Sequence, residues 1–130
     1  SLAVGVTDDP SLSRITIIVD NDNTVVEQVE KQLYKLVEVI KVRTLDENAL
    51  IGRELMIIKV SANTHNREHI MTICSICGAK VVDISPTSMT MEISDTPERV
   101  RTFEDMMRPF NILEVARTGV IALQKGAGKI

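Results

Sequence analysis

Aromatic residues are nearly absent from this chain, which has no tryptophan, one tyrosine and two phenylalanines. A hydrophobic core therefore has to be built from valine, isoleucine, leucine and methionine, and the six methionines are predicted to be mostly core residues. Domains that bind RNA on a sheet stack the bases on aromatic side chains, whereas the strand-like segments here carry Ile, Val and Met. Together with a net charge of −3, this composition disfavours a nucleic-acid partner.

Cysteine and long apolar runs are also scarce. Two cysteines do not make the disulfide framework of a small secreted domain, which indicates a reducing compartment. No apolar run approaches the ~18 residues of a membrane span, so no membrane partner is predicted. The chain begins with strand-like residues rather than with an initiator methionine, and we expect it to be a fragment of a longer protein.

No catalytic or metal-ligating residues are predicted. Cys74 and Cys77 have CxxC spacing, but a zinc site needs about four ligands and a redox pair belongs at a helix N-terminus. This pair falls at the end of a predicted helix and on its apolar face, which favours buried core cysteines. His65 and His69 are four residues apart, but the order His-Asn-Arg-Glu-His is not the zinc-protease pattern, and surface positions are favoured.

The first half is predicted to hold three strands and one helix. In chain order they are strands at residues 2–6 and 14–19, a helix at residues 24–36 and a strand at residues 37–45. A polar turn at residues 20–23 precedes the helix, and Thr24 followed by Glu27 fits a capping box. The polar residues 46–53 are the best candidate for a domain boundary.

The second half is predicted to alternate strands and helices. Its strands are at residues 55–62, 80–84, 88–93, 112–117 and 120–124. One helix ends at Gly78, which tolerates a left-handed cap. The other is capped by Thr96, has Pro97 at its first position and stops at Pro109. Residues 126–128 are predicted to be a flexible tail.

These elements predict an α+β fold. The second half has the ferredoxin-like order βαββαβ, and the first half has the same order without its first strand and helix. The predicted domains are residues 1–50 and 51–130. Because the absent strand would be central, residues 37–45 would have no pairing partner. We therefore expect the natural protein to have a strand and a helix before Ser1.

Five segments, in this order and at this spacing, resemble the small regulatory subunit of acetohydroxyacid synthase, also called acetolactate synthase, in the ACT domain family. They are residues 1–5 (Ser-Leu-Ala-Val-Gly), 13–16 (Ser-Arg-Ile-Thr), 32–39 (Gln-Leu-Tyr-Lys-Leu-Val-Glu-Val), 53–56 (Arg-Glu-Leu-Met) and 114–119 (Glu-Val-Ala-Arg-Thr-Gly). The resemblance extends from Ser1 to about Lys125. It implies an ACT domain followed by a second ferredoxin-like domain.

The resemblance also implies a function. Such a subunit is non-catalytic and has no cofactor, whereas its catalytic partner uses thiamine diphosphate, magnesium and FAD. The small subunit activates that partner, forms a homodimer and confers feedback inhibition by valine or other branched-chain amino acids in valine, isoleucine and leucine biosynthesis. The implied location is the cytoplasm of a bacterium, or the plastid of a plant.

Site residues carry over from the resemblance only in part. The family's main effector loop would precede this chain, so only Ser1 and Leu2, at the edge of that pocket, are predicted to bind effector. Arg117, Thr118 and Gly119 are predicted to contact the catalytic subunit. For this turn the structural interpretation, in which glycine supplies a positive φ, stays open beside the functional one.

Two other functions remain as alternatives. A free-standing ACT-type amino-acid sensor is one, but the sequence has no helix-turn-helix segment or basic patch to act on DNA. A small ferredoxin-like enzyme is the other, but no polar cluster converges in an apolar pocket. Co-purification with a much larger thiamine enzyme distinguishes the regulatory subunit from both.

Overall fold

The computed structural model describes residues 1–19 and 23–130, and these residues form an α+β fold. The strands are β1 (Leu2–Val6), β2 (Ser13–Ile17), β3 (Leu50–Ser61), β4 (Lys80–Ile84), β5 (Ser88–Asp95), β6 (Ile112–Arg117) and β7 (Ile121–Gln124). The helices are α1 (Asn23–Tyr34), α2 (Arg67–Cys77) and α3 (Pro97–Met107). The turn predicted at residues 20–23 lies outside the described residues except for Asn23, which begins α1. In the described part of the chain, no helix is both long and apolar enough to cross a membrane.

Contacts divide the chain into two units. The first unit is Ser1–Gly52 together with Ile121–Ile130, and the second unit is Arg53–Val120. The sequence groups residues 121–130 with the second domain, whereas these contacts group them with the first. The reason is that β7 pairs with β3, and Lys125 N donates to the carbonyl of Ala49 at 2.7 Å.

The second unit has the predicted ferredoxin-like order of elements. Its strands lie in the order β4-β5-β3-β6, so the first strand of the unit, β3, is central. Each neighbouring pair is antiparallel, and β3 pairs with β5 from Glu54 to Ser61. Alternate residues of β3 are buried, as expected for a sheet that is covered on one face.

Both helices of the second unit follow the predicted chemistry. The Thr96 hydroxyl accepts a hydrogen bond from Arg99 N at 3.3 Å, and Pro97 opens α3. At the end of α2, Gly78 adopts the left-handed conformation with a φ of 75°. The buried face of α3 is formed by Val100, Phe103 and Met107.

The second unit contains a continuous core of buried side chains. Its members are Met56, Ile58, Val60, Ala62, Ile70, Ile73, Cys74, Met89, Met91, Ile93, Val100, Phe103 and Met107. Four of the six methionines belong to this core, whereas Met71 and Met106 are exposed. Methionine and isoleucine together supply eight of the thirteen core residues, and the prediction that most methionines are core residues is confirmed.

The first unit begins with the first two predicted strands, which form a hairpin. β1 and β2 form a two-stranded antiparallel sheet in which Leu2 pairs with Ile17 and Val4 with Ile15. The side chains of these four residues lie on one face and are exposed. On the other face Ala3 is buried. The predicted helix is also present, and because α1 begins at Asn23, the predicted cap Thr24 lies in its first turn.

The strand predicted at residues 37–45 is wrong. These residues have no strand pairing in the structure and form an irregular connection to β3. The hydroxyl of Tyr34 donates to the carbonyl of Val42 at 2.9 Å and accepts from Val42 N at 3.0 Å. The β-branched composition of residues 37–45 favours a strand, but a strand needs a neighbouring strand to satisfy its backbone N–H and C=O groups. Here the backbone groups of Val42 bond to the Tyr34 side chain instead.

Candidate functional site

The turn that joins β6 to β7 contains the predicted partner contact, Arg117-Thr118-Gly119. It is fastened to β3 by the backbone and hydroxyl of Thr118: Thr118 N donates to Leu55 O at 3.0 Å, and Leu55 N donates to Thr118 Oγ1 at 3.1 Å. Gly119 has a φ of 83°, so the predicted need for glycine is confirmed. The turn is therefore held in one conformation.

Arg117 is the last residue of β6 and pairs with Met56 on β3. Directly opposed residues share a face of the sheet, so Arg117 lies on the face that the helices cover. Its Nη2 donates to Glu104 Oε1 on α3, and its Nε lies 3.9 Å from Glu54 Oε1 on β3. One guanidinium therefore links the central strand to a helix.

The two carboxylates explain why this position needs an arginine. The side chains of Glu54 and Glu104 are only 10% and 14% exposed, against 39% for Arg117. A carboxylate removed from water needs a cationic partner, and a guanidinium can reach two carboxylates at once. Arg108 adds a second cation, with its Nη2 3.6 Å from Glu104 Oε1.

Neither Glu54 nor Glu104 is among the site residues predicted from the sequence. A signal for Glu54 was available, because it falls in phase with the alternating apolar residues Met56, Ile58 and Val60, and a charge on that row requires a partner. Glu104 carries no such signal, since it follows the buried Phe103 on a helix with many charged residues. Only the packing of α3 on the sheet brings it to Arg117.

The arrangement can donate hydrogen bonds but contains no nucleophile–base pair. The contacts of the Arg117 guanidinium are made by Nη2 and Nε. Among the described residues, none accepts a hydrogen bond from Nη1 of Arg117. The carboxylates fix the guanidinium, and its remaining edge is a donor for a carboxylate or carbonyl oxygen.

The predicted effector residues Ser1 and Leu2 open the hairpin of the first unit. Ser1 O accepts a hydrogen bond from Ile18 N at 3.1 Å, and the Leu2 side chain is 61% exposed. The structure therefore places the two predicted sites in different units: Ser1 and Leu2 in the first, and Arg117, Thr118 and Gly119 in the second.

The surroundings of the cysteine pair and of the histidine pair indicate structural roles. Cys74 is buried in the core, Cys77 packs against the core, and burial raises the pKa of the Cys74 thiol to about 11, with Cys77 adding to the increase. His69 is exposed and contacts the Phe110 ring edge-on at 5.3 Å. Within residues 1–19 and 23–130, no three or more His, Cys, Asp or Glu side chains are grouped to hold a metal ion.

Two family descriptions match consecutive parts of this chain. Residues 1–41 match the acetohydroxyacid synthase small subunit-like ACT domain, and residues 53–126 match the small subunit of acetolactate synthase. The second match includes all of the second unit, Arg53–Val120, and with it the Arg117–Gly119 turn. The chain belongs to the acetolactate synthase small-subunit family.

Small subunits from bacteria and archaea are similar to this chain along most of its length. A probable acetolactate synthase small subunit of Archaeoglobus fulgidus is 43% identical over 129 residues, which are 99% of this chain and 80% of that protein. The acetolactate synthase isozyme 3 small subunit of Salmonella typhimurium is 40% identical over 127 residues, 97% of this chain and 78% of that protein. Both of these small subunits are longer than the present chain.

The fold of a small subunit is also known from a crystal. The acetolactate synthase small subunit of Thermotoga maritima matches this structure with a TM-score of 0.89 and 34% identity, over 98% of this chain and 80% of that one. The likeness extends over both units. The predicted α+β class, with an ACT domain followed by a ferredoxin-like domain, is therefore confirmed.

Proposed function

We propose that this chain is a non-catalytic regulatory subunit that activates the catalytic subunit of acetolactate synthase and makes it sensitive to a branched-chain amino acid. The observation that carries the proposal is the pair of family matches, an ACT domain at residues 1–41 followed by the small-subunit domain at residues 53–126. The arrangement around Arg117, which has donors but no nucleophile, agrees with a role in recognition.

Regulation by linkage requires two sites. We assign effector binding to the first unit, where Ser1 and Leu2 lie at one edge of the pocket, with valine as the expected effector. We assign contact with the catalytic subunit to Arg117, Thr118 and Gly119, because this turn is pinned to β3 and Arg117 retains unused donors. A coupling free energy of ~1–3 kcal/mol between the sites changes either affinity roughly 5–150-fold.

The remaining features belong to the same proposal. The subunit acts as a homodimer in the cytoplasm, and the catalytic partner carries thiamine diphosphate, magnesium and FAD. The catalytic partner condenses pyruvate with pyruvate or 2-oxobutyrate, the committed step of valine, isoleucine and leucine biosynthesis. The small subunit contributes no group to that chemistry.

The direct test is acetolactate formation by a cognate catalytic subunit, measured with and without this chain and then with valine. We expect the chain to raise the rate of acetolactate formation and valine to lower the rate of the activated enzyme. If the chain neither activates the enzyme nor co-purifies with it, the proposal is wrong and a free-standing amino-acid sensor becomes the better account.

A further inference from the structure

The last ten residues of the chain form a strap on the first unit, and we infer that this strap controls how ordered the hairpin of β1 and β2 is. The strap is Ile121–Ile130, which contacts assign to the first unit although it follows the second unit along the chain. The inference rests on the proposed function, because it gives the partner-binding turn a means of acting on the effector-binding unit.

Side chains and backbone groups distributed along the first unit hold the strap. Arg14 Nη2 on β2 donates to Ala122 O at 2.8 Å, across 108 residues of sequence. Ala49 O accepts from Lys125 N at 2.7 Å and from Gln124 Nε2 at 2.5 Å. Arg43 Nη1 donates to Lys129 O at 2.9 Å. These bonds fasten the strap at its start, middle and end.

The first unit depends on these bonds because it has little core of its own. Its buried hydrophobic residue is Ala3, among the residues that the structure describes, and Arg14 lies on the same face of the hairpin. A charge-assisted hydrogen bond that is partly shielded from water is a large contribution in a unit with so little apolar burial. Arg14 is therefore a positioning residue that joins the hairpin to the strap.

The strap starts immediately after the candidate partner-binding turn. Val120 alone separates Gly119 from Ile121, and Val120 is buried. A partner that fixes Arg117-Thr118-Gly119 also fixes the direction in which the strap leaves the turn. The strap then determines whether Ala122 O is in reach of Arg14, so binding at the turn and order in the hairpin become linked through one element with two states.

Hydrogen–deuterium exchange on the full chain tests this inference. We compare wild type with Arg14→Gln, which removes the charge and the bond to Ala122, and with Arg101→Gln as the control, since Arg101 is an exposed arginine of α3. Arg14→Gln is expected to speed exchange in peptides covering Leu2–Val6 and Ser13–Ile17 by roughly tenfold. Exchange in β5 and in residues 54–61 of β3, which pair with β5, is expected to stay unchanged, and this also reports that the second unit is folded.

The same measurement is repeated with a cognate catalytic subunit. Its binding is expected to slow exchange of the hairpin in wild type and in Arg101→Gln, but not in Arg14→Gln, while the turn is protected in all three. Equal hairpin exchange rates in free wild type and free Arg14→Gln would overturn the inference that the strap controls the order of the hairpin. Protection of the hairpin by the catalytic subunit in Arg14→Gln would overturn the linkage.

The two levels of proposal fail differently. If the catalytic subunit does not bind wild type at all, the proposed function fails, while the strap is still decided by exchange in the free chain. A chain ended after Lys125 provides a second variant, because of the strap's hydrogen bonds named above it removes the one from Arg43 to Lys129 and keeps those to Ala122, Gln124 and Lys125. It is expected to speed exchange in residues 40–46 and to leave the hairpin close to wild type.

Discussion

The two units of this small subunit have very different interiors. The second unit closes a four-stranded sheet with two helices over a core of thirteen buried residues. In the described part of the first unit, Ala3 is buried, whereas Leu2, Val4, Ile15 and Ile17 are exposed on one side of a hairpin. Apolar packing therefore stabilises the second unit, whereas hydrogen bonds and the returning strap stabilise the first.

This difference matches the division of labour that we propose. A unit that transmits a signal must have two arrangements of similar free energy, and elements of this kind come from the less stable parts of a protein. A unit that docks a partner gains from a fixed surface, since a preorganised contact loses less conformational entropy on binding. Under the proposed function, the second unit docks the partner and the first unit responds to the effector.

The largest expected effect comes from a substitution at the centre of the core of the second unit. Phe103 is fully buried, and Phe103→Ala is expected to destabilise the protein by about 3–5 kcal/mol. Val4→Ala in the exposed face of the hairpin is the matched apolar truncation, with an expected cost within about 0.5 kcal/mol. Urea unfolding measures both. Equal costs would remove the distinction between the units.

The second prediction concerns the ion pairs of the second unit. Arg117→Ala leaves two largely buried carboxylates without their shared cation, and about 2–4 kcal/mol of stability is expected to be lost. Arg117→Lys keeps the charge but not the two-sided geometry and is expected to lose about half as much. Arg101→Ala is the control, within about 0.5 kcal/mol.

Thermal melting measures these losses, and activation of the catalytic subunit far below the melting temperature is assayed in parallel. If Arg117 also contacts the partner, Arg117→Ala raises the half-saturating concentration of the small subunit even where the chain is fully folded. Full activation at an unchanged concentration would leave Arg117 with a structural role only.

The third prediction is a loss of stability at alkaline pH that belongs to the second unit. Burial, with a smaller effect of Cys77, raises the pKa of the Cys74 thiol from 9.0 to about 11. The folded state therefore favours the protonated thiol, so this contribution is complete below pH 9.0 and is lost as the pH rises through about 11.

The expected loss is at most about 2 kcal/mol between pH 8 and pH 10.5. Urea midpoints at the two pH values are compared for wild type and Cys74→Ala, in which this part of the pH dependence is absent. An identical alkaline loss in both chains would show that other groups cause it.

The smallest expected effects are the changes in stability when one glycine from each unit is replaced by alanine. Gly78 ends α2 with a φ of 75°, and an added Cβ meets no neighbouring atom, so Gly78→Ala costs backbone strain alone, about 1 kcal/mol. Gly5 in β1 also has open space and no positive φ, so Gly5→Ala is expected to be neutral or stabilising by a few tenths of a kcal/mol. Calorimetric melting temperatures decide this, and a larger loss for Gly5→Ala would contradict it.

Local chemistry made the second unit predictable from the sequence. Thr96, Pro97 and Gly78 mark helix ends through backbone requirements that do not depend on distant residues, and their roles are confirmed. The strand prediction for residues 37–45 failed because a strand needs a neighbouring strand, and amino-acid composition does not show whether one is present. The early start of β3 at Leu50 was likewise hidden, because its partner β7 lies far along the chain.

The candidate site was predictable only in its turn. Glycine at position 119 indicates a positive φ from the sequence alone. The partners of Arg117, in contrast, depend on how α3 packs on the sheet, and Glu104 is one of several acidic residues on that helix. The strap was missed for the same reason: residues 126–128 look flexible, and the bond from Arg43 to Lys129 joins positions 86 residues apart. The assignments of Ser1, Leu2 and the Arg117–Gly119 turn to binding stay predictions.

The alternation along β3 sets a rule for how this protein can change in length. Glu54, Met56, Ile58 and Val60 occupy every second position, so inserting one residue after Met56 would carry the following apolar side chains to the opposite face of the sheet. Inserting two residues would restore their direction, and a single extra residue could be accommodated only in a β-bulge, which leaves that residue unpaired. The pairing of β3 with β6 already shifts register between Lys59 and Val60. Length changes within this strand are therefore expected to preserve the alternation, either by adding residues in even numbers or by placing a single extra residue in a bulge.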